Sequence, residues 1–152
     1  MKKNVIILSF IIAFFVSGCS WMTSFVVLNN SDLEIRIRYS LRSRGTKYWY
    51  VPPKVVESTK LGSRGPNWNV IPDANRSYDE GNGIVEITIP PKHAVLVAQN
   101  PIYLGYNKER SSEIALVRLD IISPLGQITY AGDELAKAFM KRSDQLYILR
   151  YE

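Results

Sequence analysis

The sequence predicts a mostly β protein: an antiparallel β-sandwich with one short C-terminal α-helix before the last strand. Three observations carry this reading. Residues 33–42 alternate apolar and polar side chains without a break, the period of a strand with one buried and one wet face. Short apolar runs recur along the chain, separated by Pro- and Gly-containing turns, the spacing of sheet-on-sheet folds. Only residues 133–142 carry a helical stripe, so a single helix accompanies about eight strands.

Each element has its own warrant. Residues 25–29 are a short β-rich run, and Asn29, Asn30, Ser31 and Asp32 turn it by composition. In residues 33–42, Leu33, Ile35, Ile37, Tyr39 and Leu41 form the face expected to be buried. Arg36, Arg38 and Arg42 form a basic row on the other face, extended by Arg44 and Lys47. Such a row discourages edge pairing or offers a docking surface to acidic partners or headgroups. On this reading aspartate at position 37 unfolds the domain, while aspartate at position 38 costs within about 0.5 kcal/mol. Residues 48–51 are aromatic and strand-like until Pro52 and Pro53 stop them. Val55 and Val56 resume a strand.

Residues 57–83 then run without periodicity, rich in Gly, Pro, Asn and Asp. A loop of that length in a compact domain calls for a purpose. It holds Trp68 and Tyr78 among Arg64, Asn67, Asn69, Asp73 and Arg76, the mixture of rings and hydrogen-bonding groups that loop binding surfaces use. The alternative is that Trp68 folds back over the core. Residues 84–89 alternate again, and residues 94–99 are apolar on both faces, as a central strand is. Residues 100–112 form a second irregular stretch. Residues 113–123 are long and mostly apolar, Pro124, Leu125 and Gly126 turn the chain, and residues 127–131 return as the hairpin partner. The helix follows over residues 133–142, with Asp133 and Glu134 at its start and Lys141 and Arg142 at its end, matching the helix dipole. Residues 145–151 close the sheet, with Leu146 and Ile148 on one face and Tyr147, Leu149 and Tyr151 on the other.

The N-terminus follows different rules. Lys2 and Lys3 precede an apolar run over residues 5–16, and Val16, Ser17, Gly18 and Cys19 end it. This is the charged, apolar and small-residue order of an export signal. The apolar run of about a dozen residues falls short of the roughly 20 needed to span the hydrocarbon. The four-residue site resembles the lipobox of bacterial lipoproteins, in which the cysteine is acylated and becomes the new N-terminus; Cys19 is the match. A free thiol is a liability outside the cytoplasm, and Cys19 is the single cysteine of the chain. The resemblance implies a signal peptide over residues 1–18, a lipidated tether over 19–24 and one domain over 25–152. It also implies about three acyl chains, which make membrane attachment long-lived. Ser20 stands where Asp typically signals inner-membrane retention, so in a Gram-negative cell the resemblance places the protein in the outer membrane, facing the periplasm. Small sandwiches of this kind occur among periplasmic lipoproteins, including those of secretion-machine envelope complexes, a similarity of architecture alone.

Composition narrows the function. Without residues 1–18 the chain keeps 134 residues and 17 basic against 14 acidic groups, a mild excess that argues against nucleic acid. One histidine, His93, leaves no multi-histidine metal site, and there is no GxSxG, HExxH or phosphate-loop glycine pattern. No cofactor and no enzymatic activity are expected. Two functions fit what remains. The first is a non-catalytic interaction or structural module, anchored to the membrane by lipid and binding another envelope protein. The second is carbohydrate or peptidoglycan binding through Tyr48, Trp49, Tyr50, Trp68 and Tyr78, with Arg64 and Arg76 supplying hydrogen bonds. Three coplanar exposed rings would favour sugar; an uncovered edge strand beside apolar surface would favour protein.

Overall fold

Alternating apolar residues fold into two stacked sheets that share one core. The computed structural model describes residues 21–44, 47–48, 50–62, 67–102, 114–143 and 145–152. In chain order the strands are β1 (Trp21–Asn29), β2 (Ile35–Leu41), β3 (Ser43–Arg44), β4 (Lys47–Tyr48), β5 (Lys54–Glu57), β6 (Asn69–Val70), β7 (Arg76–Asp79), β8 (Ile84–Ile89), β9 (His93–Ile102), β10 (Leu116–Ser123) and β11 (Gly126–Ala131). Helix α1 (Gly132–Ala138) and strands β12 (Met140–Ser143) and β13 (Leu146–Tyr151) complete it. Among the described residues no helix is long and apolar enough to cross a membrane.

The larger sheet has the order β12-β13-β1-β9-β5-β6 and the smaller β11-β10-β2-β8-β7, with β3 and β4 forming a separate hairpin. Between the sheets lie Phe25, Val27, Val95, Val97 and Leu149 from one side and Ile37, Tyr39, Ile87, Leu119 and Ile121 from the other. Leu135 of α1 and Phe139 close one end of this core, where the Phe139 ring meets Phe25 edge-on at 5.5 Å. At the opposite end the buried Asn29 side chain donates to the carbonyls of Leu33, Ile89 and Pro90, at 2.7, 3.2 and 3.0 Å. Tyr151 there donates to Ser123 at 2.7 Å, joining the two sheets. The Tyr39 hydroxyl is buried and has no hydrogen-bond partner among the described residues; burial pushes its pKa far above the usual tyrosine value, with Tyr50 adding to the effect.

The predicted fold class holds, with corrections to individual elements. Trp21 to Ser24, expected in the tether, pair with β9 from Ile102 to Gln99, because they continue a strand already held on both sides. The helix ends at Ala138 rather than Arg142: Phe139 turns extended and enters the core, and Met140 and Lys141 pair with Ile148 and Tyr147. A strand, β12, therefore stands between helix and last strand. β1 runs parallel to β13, the one parallel ladder among the described residues; all the others are antiparallel. The long stretch after Glu57 is less irregular than its composition implied, since it supplies β6 to the edge of one sheet and β7 to the edge of the other.

Residues 57–83 also have a physical task. The larger sheet is apolar on its outer face too, where Val26, Leu28, Ala94, Leu96, Leu146 and Ile148 form a second buried cluster. Leu61 and Trp68 pack against it, so this segment covers apolar surface that the smaller sheet cannot reach.

Candidate functional site

Of the residues proposed from sequence as a binding surface, Tyr48, Tyr50 and Tyr78 pack on one cluster and Trp68 on another. Cys19, Trp49 and Arg64 lie outside the described residues. Trp68 is half-buried against the outer face of the larger sheet. Tyr48, Tyr50 and Tyr78 pack instead on the core between the sheets. Tyr50 and Tyr78 stack on each other with centroids 4.1 Å apart and planes 7° off parallel. Each ring thus gives one face to the other, and a face so used is closed to a sugar. The Tyr48 ring lies where a side chain on Gly83 would have to go, and Gly83 sits at φ +62°, so both space and backbone require glycine there. Arg76 is committed locally: its guanidinium donates to Asp73, with Nε 2.9 Å from Oδ1, and that bond raises its pKa.

Trp68 therefore belongs first to the fold. Trp68→Ala should lower stability by about 2 kcal/mol, less than a fully buried tryptophan costs because part of the ring is already wet. Thermal melts of the full chain read this directly, and an unchanged melting temperature would return Trp68 to the surface as a binding residue.

The outer face of the smaller sheet presents polar side chains in register. Asp120 of β10 stands opposite Thr129 of β11 and Arg38 of β2, and Arg38 stands opposite Glu86 of β8. Asp120 is only 7 % exposed, and its carboxylate is held by neighbours. It accepts from Arg118 Nε at 3.0 and 3.1 Å and from the Thr129 hydroxyl at 2.6 Å. Burial alone would push its pKa up; the hydrogen bonds from Arg118 and Thr129 outweigh that and hold the carboxyl below its usual value. A carboxylate held ionised in this way is the opposite of the raised acid that glycoside hydrolysis needs. Arg38 approaches Glu86 at 3.4 Å, so the basic row is partly neutralised along the strand. Sequence reasoning missed Asp120, because an aspartate inside an apolar run carries no sign of which neighbours will satisfy it.

Among the described residues no group of three or more His, Cys, Asp or Glu side chains is placed to hold a metal ion. His93 brings its Nδ1 within 2.7 Å of the Pro91 carbonyl and so stabilises the turn between β8 and β9. A cavity of about 170 Å³ opens between α1 and the start of β10, lined by Arg42, Ile114, Leu116, Val117, Asp133 and Leu135 among others. That is smaller than the about 300–1,000 Å³ of ligand pockets.

A further surface feature is a sheet edge. Among the described residues β11 ends the smaller sheet and pairs only with β10. Next to it are exposed apolar side chains, Ile128 at 44 % and Leu125 at 81 %. No family model, curated protein or solved structure matches the chain.

Proposed function

We propose that the protein is a lipid-anchored envelope lipoprotein whose sandwich is a non-catalytic interaction or structural module held at the membrane. The observation that carries this reading is the Val16-Ser17-Gly18-Cys19 site, with the single cysteine of the chain two residues ahead of β1. If Cys19 is acylated, no flexible spacer separates the lipid from the sandwich, and the end bearing Trp21 and Met22 faces the headgroups. Attachment is then both durable and close, as suits a protein that works beside the membrane. Ser20 favours the outer membrane of a Gram-negative cell, and the partner on this reading is another envelope protein rather than nucleic acid. Support for a protein partner over a sugar comes from the open edge of β11 and from the Tyr50–Tyr78 stack, which uses ring faces that a sugar would need.

Cys19→Ala should yield an unprocessed or mislocalised chain, whereas the parent should float with the membrane fraction and take up labelled fatty acid. An inhibitor of the lipoprotein signal peptidase should reproduce the precursor. Correct processing and membrane attachment of the Cys19→Ala chain would overturn the assignment.

A further inference from the structure

We infer that one corner of the sandwich, made by β12 and the end of α1, rests on anionic phospholipid headgroups, so that the domain leans toward β12 instead of standing upright on its anchor. The inference rests on the lipid-anchored reading above and adds to it the orientation of the domain. Two observations meet at this corner: where the anchor emerges and where the cations lie.

The position of the anchor follows from strand register. Cys19 precedes Trp21, the first residue of β1, by two residues, which span at most about 7 Å. Beside β1 stands β13, and beyond it β12 forms the edge of the larger sheet. Ser24 is level with Leu146, and Leu146 with Ser143, so the C-terminal end of β12 lies at the same end of the sandwich as Trp21. With strands about 4.8 Å apart and about 3.3 Å per residue, Ser143 is about 10 Å to the side of β1 and about 10 Å above Trp21. A lean of about 45° toward β12 brings the two level.

The charge at this corner is positive. Residues 135–151 hold four cations, Lys137, Lys141, Arg142 and Arg150, and one acid, Asp144, which lies outside the described residues. Lys137, Lys141 and Arg142 are exposed, and Asp133 and Glu134 lie at the β11 end of α1. Arg38, Lys60, Arg76, Lys92 and Arg118 each face a carboxylate, whereas neither Lys137 nor Arg142 is in an ion pair among the described residues. Of the edges of the two main sheets, β6 and β11 carry no charge and β7 carries both signs. β12, with Lys141 and Arg142, is the cationic one.

The same corner offers apolar contact. Met140 is 72 % exposed and Met22 40 %. Met140 stands opposite Ile148 on the outer face of the larger sheet, and Met22, four residues before Val26, is on that face too. Cations beside apolar side chains suit the boundary between headgroups and acyl chains. Three cations are too few to hold a free domain on a membrane. They suffice to orient one that lipid already keeps near the surface, where screening acts over about 8 Å at physiological salt.

The full lipidated chain in phosphatidylcholine vesicles, with and without phosphatidylglycerol, tests the lean. Neither lipid has a primary amine, so a membrane-impermeant amine-acylating reagent reads each lysine by mass spectrometry. Lys137 and Lys141 should react about fivefold more slowly when phosphatidylglycerol is present, while Lys60 and Lys92 keep their rates. Salt at about 1 M, where screening shortens to about 3 Å, should remove the difference. Arg142→Glu, a change at an exposed position, should cut the protection of both lysines to about twofold. Equal protection at all four lysines, or none from phosphatidylglycerol, would overturn the lean. Protection in native envelopes but not in these vesicles would overturn it as well and give the corner to an acidic protein. Flotation of the vesicles reads the anchor separately. A chain that does not float refutes the anchor alone; coupling its Cys19 thiol to a maleimide lipid then restores the tether, and the same ranking of lysines is expected.

Discussion

Ile37→Asp should abolish cooperative unfolding of the full chain. Ile37 is fully buried at the centre of β2, between Ile121 of β10 and Ile87 of β8. A carboxylate there loses its hydration, a cost of several kcal/mol set against total stabilities of about 5–15 kcal/mol. Ile37→Val removes only one methylene and should cost about 1 kcal/mol, which separates the effect of charge from that of volume. The neighbouring position refines the expectation drawn from sequence. Alternation alone treats Arg38→Asp as nearly silent, but in the sheet Arg38 stands between Asp120 and Glu86. An aspartate would line up three carboxylates, and directly opposed like charges destabilise sheets by up to about 1 kcal/mol. Arg38→Gln, which only removes the charge, is the near-silent change. Thermal melts order the four variants, and an Ile37→Asp chain that melts near the parent would mean that the buried face of β2 has been misassigned.

How much of this was legible in the sequence follows from where the deciding interactions lie. β8 was predicted residue for residue, and β2 to within its ends, because each buries one face against the core and the period of two is written into the side chains. The two-faced apolar run that became β9 announced a central strand. β7 and β12 were not legible. Their residues are mostly exposed or half-exposed, and what makes them strands is the neighbouring ladder, which lies elsewhere in the chain. The same applies to the early end of the helix, where the pull of Phe139 into the core outweighs a helical stripe that would otherwise have continued. As for the site, the sequence singled out aromatic residues correctly as large apolar surface but could not show that Trp68 and the Tyr50–Tyr78 pair serve different clusters. The edge of β11 was equally hidden, since being an edge is a property of sheet order and not of the strand itself.

Asn29 carries the second large effect, and its chemistry makes that effect depend on pH. The side chain is fully buried at the end of β1. Its amide nitrogen faces three carbonyls, those of Leu33, Ile89 and Pro90. Its oxygen accepts from the Ser31 backbone N–H at 3.2 Å and from the Ser31 hydroxyl at 2.7 Å. Asn29→Asp keeps shape and the Ser31 contacts but exchanges the donor for a second acceptor, so a carboxylate oxygen would be forced against three carbonyl oxygens. At neutral pH this should cost about 3 kcal/mol or more, through a buried charge and unmet acceptors together. Burial and facing acceptors both favour the protonated form, so the introduced carboxyl has a folded-state pKa above its unfolded value near 3.9. The folded variant then holds its proton more tightly than the unfolded chain, and its stability rises as pH falls through that raised pKa. Wild-type Asn29 does not titrate, so the gap between variant and parent is the readout. It should be widest near pH 7 and narrow on acidification, without closing, because one O–H replaces two N–H donors. Denaturant unfolding of both proteins between about pH 4 and pH 7 measures the gap, and a penalty that is small or constant across that range would show that the Asn29 amide is not the donor joining β1 to the turn between β8 and β9.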